Sequence, residues 1–78
     1  MFYVYIIRHL TTQRLYSGST NDLARRLAEH RARGEFQLVY HEAYRAEADA
    51  RRREHNLKYF GRAYGQLKRR IQQSLAPS

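Results

Sequence analysis

The sequence predicts an α/β (α+β) domain in which helices flank a three-stranded sheet, antiparallel or mixed, with the elements in the order ββαβαα. Three observations predict this class. Apolar residues alternate as in strands near the N-terminus and again after residue 35, and they recur at helical spacing elsewhere. The 78 residues contain no Pro/Gly-rich linker, so one domain is expected over residues 1–75, followed by a frayed tail at 76–78.

The first strand is predicted from residues 2–7 (FYVYII), which are all β-branched or aromatic and therefore typical of a strand covered on both faces. The polar residues 11–13 turn the chain, and residues 14–17 return as the second strand of a hairpin that ends at Gly18. Residues 36–44 (FQLVYHEAY) alternate well enough to form a third strand.

Three segments are predicted to be helical. The first helix has Thr20 or Asn21 as its N-cap, Asp22 in its first turn, and Gly34 after its end. Its apolar stripe consists of Leu23, Ala24, Leu27 and Ala28. Residues 46–59 resume a helical pattern. After Gly61, the apolar positions of a last helix are Tyr64, Leu67, Ile71 and Leu75.

The charge of the chain points to a nucleic-acid partner. Fifteen Lys and Arg residues oppose seven Asp and Glu residues, for a net charge of +8, and residues 45–78 hold nine of the cations against three carboxylates. Thirteen of the fifteen cations are Arg, whose planar fork matches a phosphate group. The alternative is a surface charged only for solubility, but such a surface usually mixes the two signs.

Several other classes are excluded by the composition. The chain has no Cys, so disulfides, thiolate metal sites and thiol catalysis are ruled out, and a cytosolic setting is expected. The apolar start MFYVYIIRHL has neither a basic flank before it nor a small-residue cleavage site after it. It is therefore interpreted as a strand and not as a signal peptide or a membrane span.

The hairpin brings two tyrosines together. If its loop has two or four residues centred on Thr11 and Thr12, cross-strand partners have numbers that add up to 23, which places Tyr5 opposite Gly18. Tyr5 and Tyr16 are then diagonal neighbours on one face of the hairpin, with their Cα atoms about 7–8 Å apart. Gly18 has no side chain to cover the phenol of Tyr5. The alternative is that both residues are ordinary strand aromatics.

The first helix places two more polar groups at the margin of the core. At 100° per residue from Leu23, Arg26 falls at about −60° and His30 at about −20°, both at the edge of the apolar stripe. Arg25 falls at about 200° and is expected to face solvent. A surface pair of Arg26 and His30 is the alternative.

Glu54 is the most informative residue of the second helix. Measured from Ala46, Glu54 lies at about 80° and Leu57 at about 20°, so this carboxylate is placed beside the apolar stripe, where it is costly unless paired or coordinated. An ion pair of Glu54 with Lys58 or with Arg53 would explain this position of the carboxylate equally well.

Five polar groups thus converge at one margin of the core, namely Tyr5, Tyr16, Arg26, His30 and Glu54. Hydrolysis of a phosphodiester needs a base, a cation against the phosphoryl oxygens, and an ion at the leaving oxygen, and one carboxylate suffices to hold Mg²⁺ when water and phosphate complete its coordination. The spacing of the four His residues does not fit zinc, and no Ser-His-Asp set, P-loop or dinucleotide loop is present.

The order and spacing of these residues resemble the GIY-YIG nuclease superfamily, most closely its small stand-alone bacterial members. The first motif is present as residues 3–5 (YVY), the second as residues 16–18 (YSG), and the segments 19–30 and 50–58 resemble the regions that follow. Gly61 to Lys68 continue the likeness, so that it covers nearly the whole chain.

The resemblance implies a three-stranded antiparallel sheet and a single-metal phosphodiesterase site. By position, Tyr5 and Tyr16 would be the motif tyrosines, one of them the general base or the group that orients water. Arg26 would hold the scissile phosphate, His30 would support a tyrosine or the phosphate, and Glu54 would ligate Mg²⁺ or Mn²⁺. Ser19 stands where some members have a lysine that assists the base.

These observations lead to one main hypothesis and two alternatives. The main hypothesis is a bacterial cytosolic or nucleoid-associated endonuclease, without a membrane partner, that cuts DNA, with branched or damaged DNA as candidates. One alternative is a non-catalytic nucleic-acid-binding module, favoured by a connection at residues 31–35 that is short for the family. The other is an accessory nuclease domain of a DNA repair complex, with specificity from a protein partner or a homodimer. The predicted DNA-binding residues are Arg51, Arg52, Arg62, Lys68, Arg69 and Arg70.

Overall fold

A computed structural model describes residues 1–76 of the chain. The predicted tail at 76–78 therefore lies, except for Ala76, outside the described residues. The elements in chain order are β1 (Phe2–His9), β2 (Leu15–Thr20), α1 (Leu23–Arg31), β3 (Phe36–Tyr44), α2 (Glu47–Tyr59), α3 (Gly61–Arg70) and α4 (Gln72–Leu75). None of the helices in this part of the chain is long and apolar enough to cross a membrane.

The three strands form one antiparallel sheet in the order β2-β1-β3, so the predicted fold class is confirmed and the mixed alternative is wrong. The central strand β1 explains why residues 4–7 are all apolar or aromatic and all buried, since it is covered on both faces. Val4 and Ile6 pack with Leu57 and Leu67 on the side of α2 and α3. Tyr5 and Ile7 point to the opposite face.

The hairpin has the register that the sequence predicts. Tyr5 pairs with Gly18 and Ile7 with Tyr16. The backbone N–H of His9 donates to the carbonyl of Arg14 at 3.0 Å, which closes a loop of four residues, 10–13. The even loop length preserves the predicted pairing. A shift of one residue would move the side chains of the second strand to the opposite face of the sheet.

The pairing of β1 with β3 contains an irregularity that the sequence did not predict. Ile6 pairs with Tyr40, whereas Ile7 pairs with Leu38, so Val39 is an extra residue in β3. The extra residue shifts the register, so that Leu38 and Tyr40 pair with adjacent residues of β1 instead of residues two apart. On the C-terminal side of the bulge, Glu42 pairs with Val4, on the face that packs against α2.

Two helix boundaries differ from the prediction. Asp22, and neither Thr20 nor Asn21, is the N-cap of α1, and its side chain accepts a hydrogen bond from the N–H of Arg25 at 3.1 Å. The reason is that Thr20 is still paired with Tyr3 in the sheet. The predicted last helix is divided at Ile71, whose backbone leaves the helical region, into α3 and the short α4.

Glu42 is the centre of a hydrogen-bond network that the sequence did not reveal. It accepts from the hydroxyls of Tyr44 and Tyr40 at 2.6 and 2.7 Å and from Arg53 Nε at 3.0 Å. The predicted pairing of Arg53 with Glu54 is therefore wrong, because adjacent helical residues point about 100° apart. Burial alone would raise the pKa of Glu42, but the hydrogen bonds from both tyrosines and Arg53 outweigh it and hold this pKa below its ordinary value.

Replacing Glu42 with glutamine is expected to lower the free energy of unfolding at pH 7 by about 2 kcal/mol. Its side chain is 15% exposed, and the neutral amide would leave the half-buried guanidinium of Arg53 without a counterion. Because the folded-state pKa is depressed, the carboxylate contributes stability above its unfolded pKa of about 4.3 and loses that contribution as the pH falls through the lower folded-state pKa.

Urea unfolding followed by far-UV circular dichroism at pH 7, 5 and 3 would measure this difference. The curves of the wild type and of Glu42→Gln should converge as the pH falls. Glu35→Gln, the same change at an exposed position, is the matched control and should stay within about 0.5 kcal/mol of the wild type at pH 7. A difference between wild type and Glu42→Gln that is constant with pH would contradict the ionic origin of the contribution.

Candidate active site

The phenol of Tyr5 lies in a space that Gly18 leaves open. Tyr5 is fully buried, although the missing side chain at Gly18 had been expected to leave its phenol uncovered. A Cβ at Gly18 would lie 2.5 Å from Tyr5 Oη and 2.8 Å from Cζ. The glycine therefore admits the ring, and α1 covers it from the other side through His30 and Arg26.

Two groups of α1 bind the hydroxyl of Tyr5. Tyr5 Oη is 2.9 Å from His30 Nε2, and Arg26 Nε donates to the same oxygen at 3.3 Å. The guanidinium of Arg26 can only donate, so the Tyr5 hydroxyl accepts that hydrogen bond and donates its own hydrogen to the neutral imidazole of His30. Arg26 and His30, predicted at the edge of the apolar stripe, thus meet at one atom of the sheet. The alternative of a simple surface pair is wrong.

The protonation states favour this direction of donation. Burial raises the pKa of the Tyr5 phenol, and the hydrogen bond from Arg26 offsets only part of the rise. Burial, reinforced by the nearby charge of Arg26, lowers the pKa of His30. At neutral pH the pair is therefore a neutral phenol that donates to a neutral imidazole.

His30 is buried by aromatic rings from three strands. Its ring centroid lies 5.7 Å from that of Tyr5, 5.3 Å from that of Tyr16 and 6.1 Å from that of Phe36. Edge-to-face arrangements of this kind fix the orientation of the imidazole. Its Nε2 is consequently aimed at Tyr5 and not at solvent.

Arg26 is half-buried and has a second partner. Its Nη1 donates to Glu29 Oε2 at 3.0 Å, while Nε is bound to Tyr5. The hydrogen bond with Tyr5 and then that with Glu29 raise the pKa of Arg26, which stays charged at every accessible pH. Arg25 is mostly exposed, as predicted, and lies 3.9 Å from Glu29.

Tyr16 is the accessible member of the tyrosine pair. It is 38% exposed, and its ring centroid lies 6.5 Å from that of Tyr5, so the two are the neighbours on one face that the register predicts. Lys58 Nζ lies 5.7 Å from the centroid of Tyr16. A cation from α2 thus approaches the ring of Tyr16.

Glu54 is held by two partners at the free edge of the sheet. Ser19 Oγ donates to Oε1 at 2.9 Å, and Lys58 Nζ lies 3.2 Å from Oε2. The side chain of Glu54 is 22% exposed, which agrees with a position beside the apolar stripe. The alternative of an ion pair between Glu54 and Lys58 is therefore confirmed.

Two open cavities meet at Ser19 and Arg51, which line both of them. The first, of about 340 Å³, is also lined by Arg26 and Glu29, and the second, of about 470 Å³, by Glu54 and Lys58. A cation of α1 and a carboxylate of α2 therefore face adjoining parts of one groove. We call this the α1–α2 groove.

Most of the chain matches a known catalytic domain. A family model described as the GIY-YIG catalytic domain matches residues 1–63. The chain belongs to the GIY-YIG family. Comparisons with curated proteins and with solved structures gave no match. Because GIY-YIG domains are nuclease domains, this membership indicates a nuclease-type function on phosphodiester bonds, with DNA as the kind of substrate.

The segments 3–5 and 16–18, which resemble the two GIY-YIG motifs, lie side by side on β1 and β2, with Tyr5 as the last residue of the first and Tyr16 as the first residue of the second. Arg26 and His30 are presented by α1 and Glu54 by α2, so all five predicted site residues belong to the matched segment. Tyr5, Tyr16, Arg26 and His30 form one contacting cluster. Glu54 is separate from that cluster and is linked to the groove through Ser19.

The donor set of this GIY-YIG domain fits a hydrated divalent cation. Glu54 is the one carboxylate lining its cavity, and the described residues contain no group of three or more His, Asp or Glu side chains able to enclose a metal. Mg²⁺ is commonly held by one or two carboxylates together with water and substrate phosphate. The open cavity leaves space for such ligands, whereas a zinc site would need more protein donors.

The predicted DNA-binding residues are distributed over two helices. Arg51, on α2, lines both cavities of the groove and also pairs with Glu47 at 3.5 Å. Arg52 and Arg62 are exposed. The other three lie on α3 beyond the segment that the family model matches: Lys68, Arg69 and Arg70.

Sequence reasoning did not assign a role to two groove residues. Ser19 was noted only as a departure from the family pattern, yet it fixes one oxygen of Glu54. Glu29 was not singled out, although its spacing of three residues from Arg26 on one helix is a recognisable signal for an ion pair.

Proposed function

We propose that this domain is a metal-dependent endonuclease that hydrolyses DNA phosphodiester bonds in the α1–α2 groove. One observation carries the proposal: Arg26 and the partly buried Glu54 line adjoining cavities that share Ser19 and Arg51. A permanent cation and a carboxylate therefore line adjoining cavities, which supports a phosphate beside Arg26 and a metal beside Glu54. Tyr5, which is itself bonded to His30, accepts a hydrogen bond from Arg26 Nε and so holds the guanidinium in place.

Arg26 is proposed to bind the scissile phosphate and to stabilise charge that develops on its oxygens. Its Nε is bound to Tyr5, which orients the plane of the guanidinium toward the groove. The carboxylate of Glu29 occupies Nη1 in the free protein. A phosphate oxygen would replace it, because both anions match the same donor fork.

Tyr16 is proposed to orient the attacking water, with Tyr5 as a positioning residue. Tyr5 is buried and its raised pKa keeps it a phenol, so it neither reaches water nor releases a proton near neutral pH. Tyr16 is partly exposed, lies over His30, and has the cation of Lys58 near its ring. The water is proposed to attack in line with the leaving oxygen.

Glu54 is proposed to hold Mg²⁺ or Mn²⁺, and Ser19 would keep its carboxylate in place through Oε1. When bound, the metal would neutralise charge on the phosphoryl and leaving oxygens. Lys58 would have to leave Oε2 for that oxygen to become a ligand. Its ammonium group would then be available to the DNA backbone.

A specific observation favours the alternative of a non-catalytic DNA-binding module. In the free protein both charged groups of the groove are already paired, Glu54 with Lys58 and Arg26 with Glu29. If these pairs persisted on DNA, the groove would contribute only its surrounding cations to binding. Such binding would weaken with salt but would not depend on divalent metal.

Incubation of the purified chain with supercoiled, single-stranded and branched DNA, each with Mg²⁺, Mn²⁺ or EDTA, tests the proposal. We expect strand breaks in the presence of either metal and none in EDTA. Equal DNA affinity with and without metal, together with no cleavage of any form, would contradict the proposal and support the binding module.

Arg26→Ala is expected to reduce the cleavage rate about 10²-fold, because one preorganised donor to the transition-state oxygens is lost. Arg25→Ala is the matched control, since Arg25 has the same charge and lines the same cavity but is mostly exposed, whereas the hydrogen bond to Tyr5 is made by Arg26. We expect less than about a fivefold change for Arg25→Ala. Equal losses in single-turnover rates for the two variants would assign Arg26 to general electrostatics and not to the scissile phosphate.

A further inference from the structure

Three aromatic rings at the end of α2 form an exposed cluster outside the site described above. The ring centroid of Tyr59 lies 4.7 Å from that of His55, and that of Phe60 lies 5.9 Å from that of His55. Tyr59 is 71% exposed and Phe60 is 55% exposed. We call these three residues the ring cluster.

The fold does not need the ring cluster. The core between α2, α3 and the sheet is formed by Val4, Ile6, Ala50, Leu57 and Leu67, and neither Tyr59 nor Phe60 packs against it. Phe60 has an extended backbone between α2 and α3, and its side chain remains 55% exposed. Adjacent large aromatic side chains that remain exposed in a small domain indicate a binding surface.

The ring cluster is continuous with the α1–α2 groove. His55 and Tyr59 line the same cavity as Glu54 and Lys58. Tyr59 lies five positions after Glu54 on α2, an axial rise of about 7.5 Å. This distance equals about two steps of a stacked nucleic-acid strand, at roughly 3.4 Å per nucleotide.

We propose that the ring cluster stacks against an unpaired nucleobase one or two nucleotides from the phosphate held in the groove, so that the substrate is DNA with an unpaired segment beside the cut. This inference rests on the proposed function. The cations Arg51 and Lys58 line the same cavity and complement a phosphate backbone that would bring the base to Tyr59. Aromatic side chains stack on any base, but a base inside a duplex has both of its faces covered.

Binding measured in EDTA, where the proposed metal is absent, tests this inference independently of cleavage. Fluorescence anisotropy at one fixed salt concentration would compare a 16-nucleotide single strand with the duplex of the same sequence. For the double variant Tyr59→Ala, Phe60→Ala we expect about tenfold weaker binding of the single strand and less than twofold change for the duplex. Tyr59→Trp should retain single-strand affinity, because a larger ring can still stack.

Leu10→Ala, which shortens an exposed apolar residue in the β1–β2 loop, is the matched control and should change neither affinity. A single strand that contains 2-aminopurine should lose fluorescence on binding the wild type and retain it on binding the double variant. Single-strand affinity that stays within twofold of the wild type, or an equal loss for single strand and duplex, would overturn the inference. A wild type that passes these tests but cuts no DNA with Mg²⁺ or Mn²⁺ would overturn the proposed nuclease function instead.

Discussion

Glu54→Gln is expected to lower metal-dependent DNA cleavage at least about 10³-fold while leaving the domain folded. Glutamine keeps the shape of the side chain and its contact with Ser19 but removes the anionic ligand proposed for the metal. A loss of 10³-fold corresponds to about 4 kcal/mol of transition-state stabilisation. The lost ion pair with Lys58 is partly exposed and should cost less than about 1 kcal/mol of stability.

The same variant separates a metal ligand from an ion-pair residue when Mn²⁺ binding is measured. Titration followed by Mn²⁺ electron paramagnetic resonance should show weaker binding for Glu54→Gln. Lys58→Met also breaks the pair, but it should retain or increase Mn²⁺ affinity because Lys58 occupies Oε2 in the free protein. Asp49→Asn, the same charge change at an exposed position of α2, should leave binding unchanged. Equal Mn²⁺ affinities for wild type and Glu54→Gln would contradict the assignment of the metal ligand.

Local rules were sufficient for the parts of the site that depend on one element or one hairpin. An even loop and period-two alternation fixed Tyr5 opposite Gly18, and helical periodicity placed Arg26 and His30 on the covered side of α1. These inferences succeeded because the apolar faces of a central strand and its covering helix strongly specify register and rotation.

Contacts between elements distant in sequence were not predictable in the same way. Arg53 bonds to Glu42 instead of Glu54 because Glu42, paired with Val4, lies on the face of the sheet that packs against α2, and the spacing of residues within α2 does not show which side chains the facing strand presents. The burial of Tyr5 was mispredicted for a related reason. A glycine opposite a tyrosine was taken to expose the ring, whereas the ring fills the space above the glycine.

Gly18→Ala is expected to destabilise the domain by about 3 kcal/mol and to impair cleavage. The added methyl group would lie 2.5 Å from Tyr5 Oη, and the buried, rigid ring is held there by His30 and Arg26. Overpacking a filled interior typically costs about 1–3 kcal/mol. A domain of this length has a total stability of about 4–12 kcal/mol, so the loss is a large fraction of it.

Gly65→Ala is the matched control for this substitution, because its added Cβ meets nothing closer than Arg69 Nη1 at 4.0 Å and it lies within α3. Alanine is favoured over glycine inside a helix, so this variant should be more stable than the wild type by about 0.5–1 kcal/mol. Combining Gly18→Ala with Tyr5→Phe removes the nearest atom and should recover part of the lost stability without restoring cleavage, since Arg26 would still lack its phenol partner. If urea unfolding shows no recovery, the destabilisation arises from the ring carbons, of which Cζ lies 2.8 Å from the added methyl group, and not from the hydroxyl. A Gly18→Ala variant as stable as the wild type would contradict the role of Gly18 in admitting the ring.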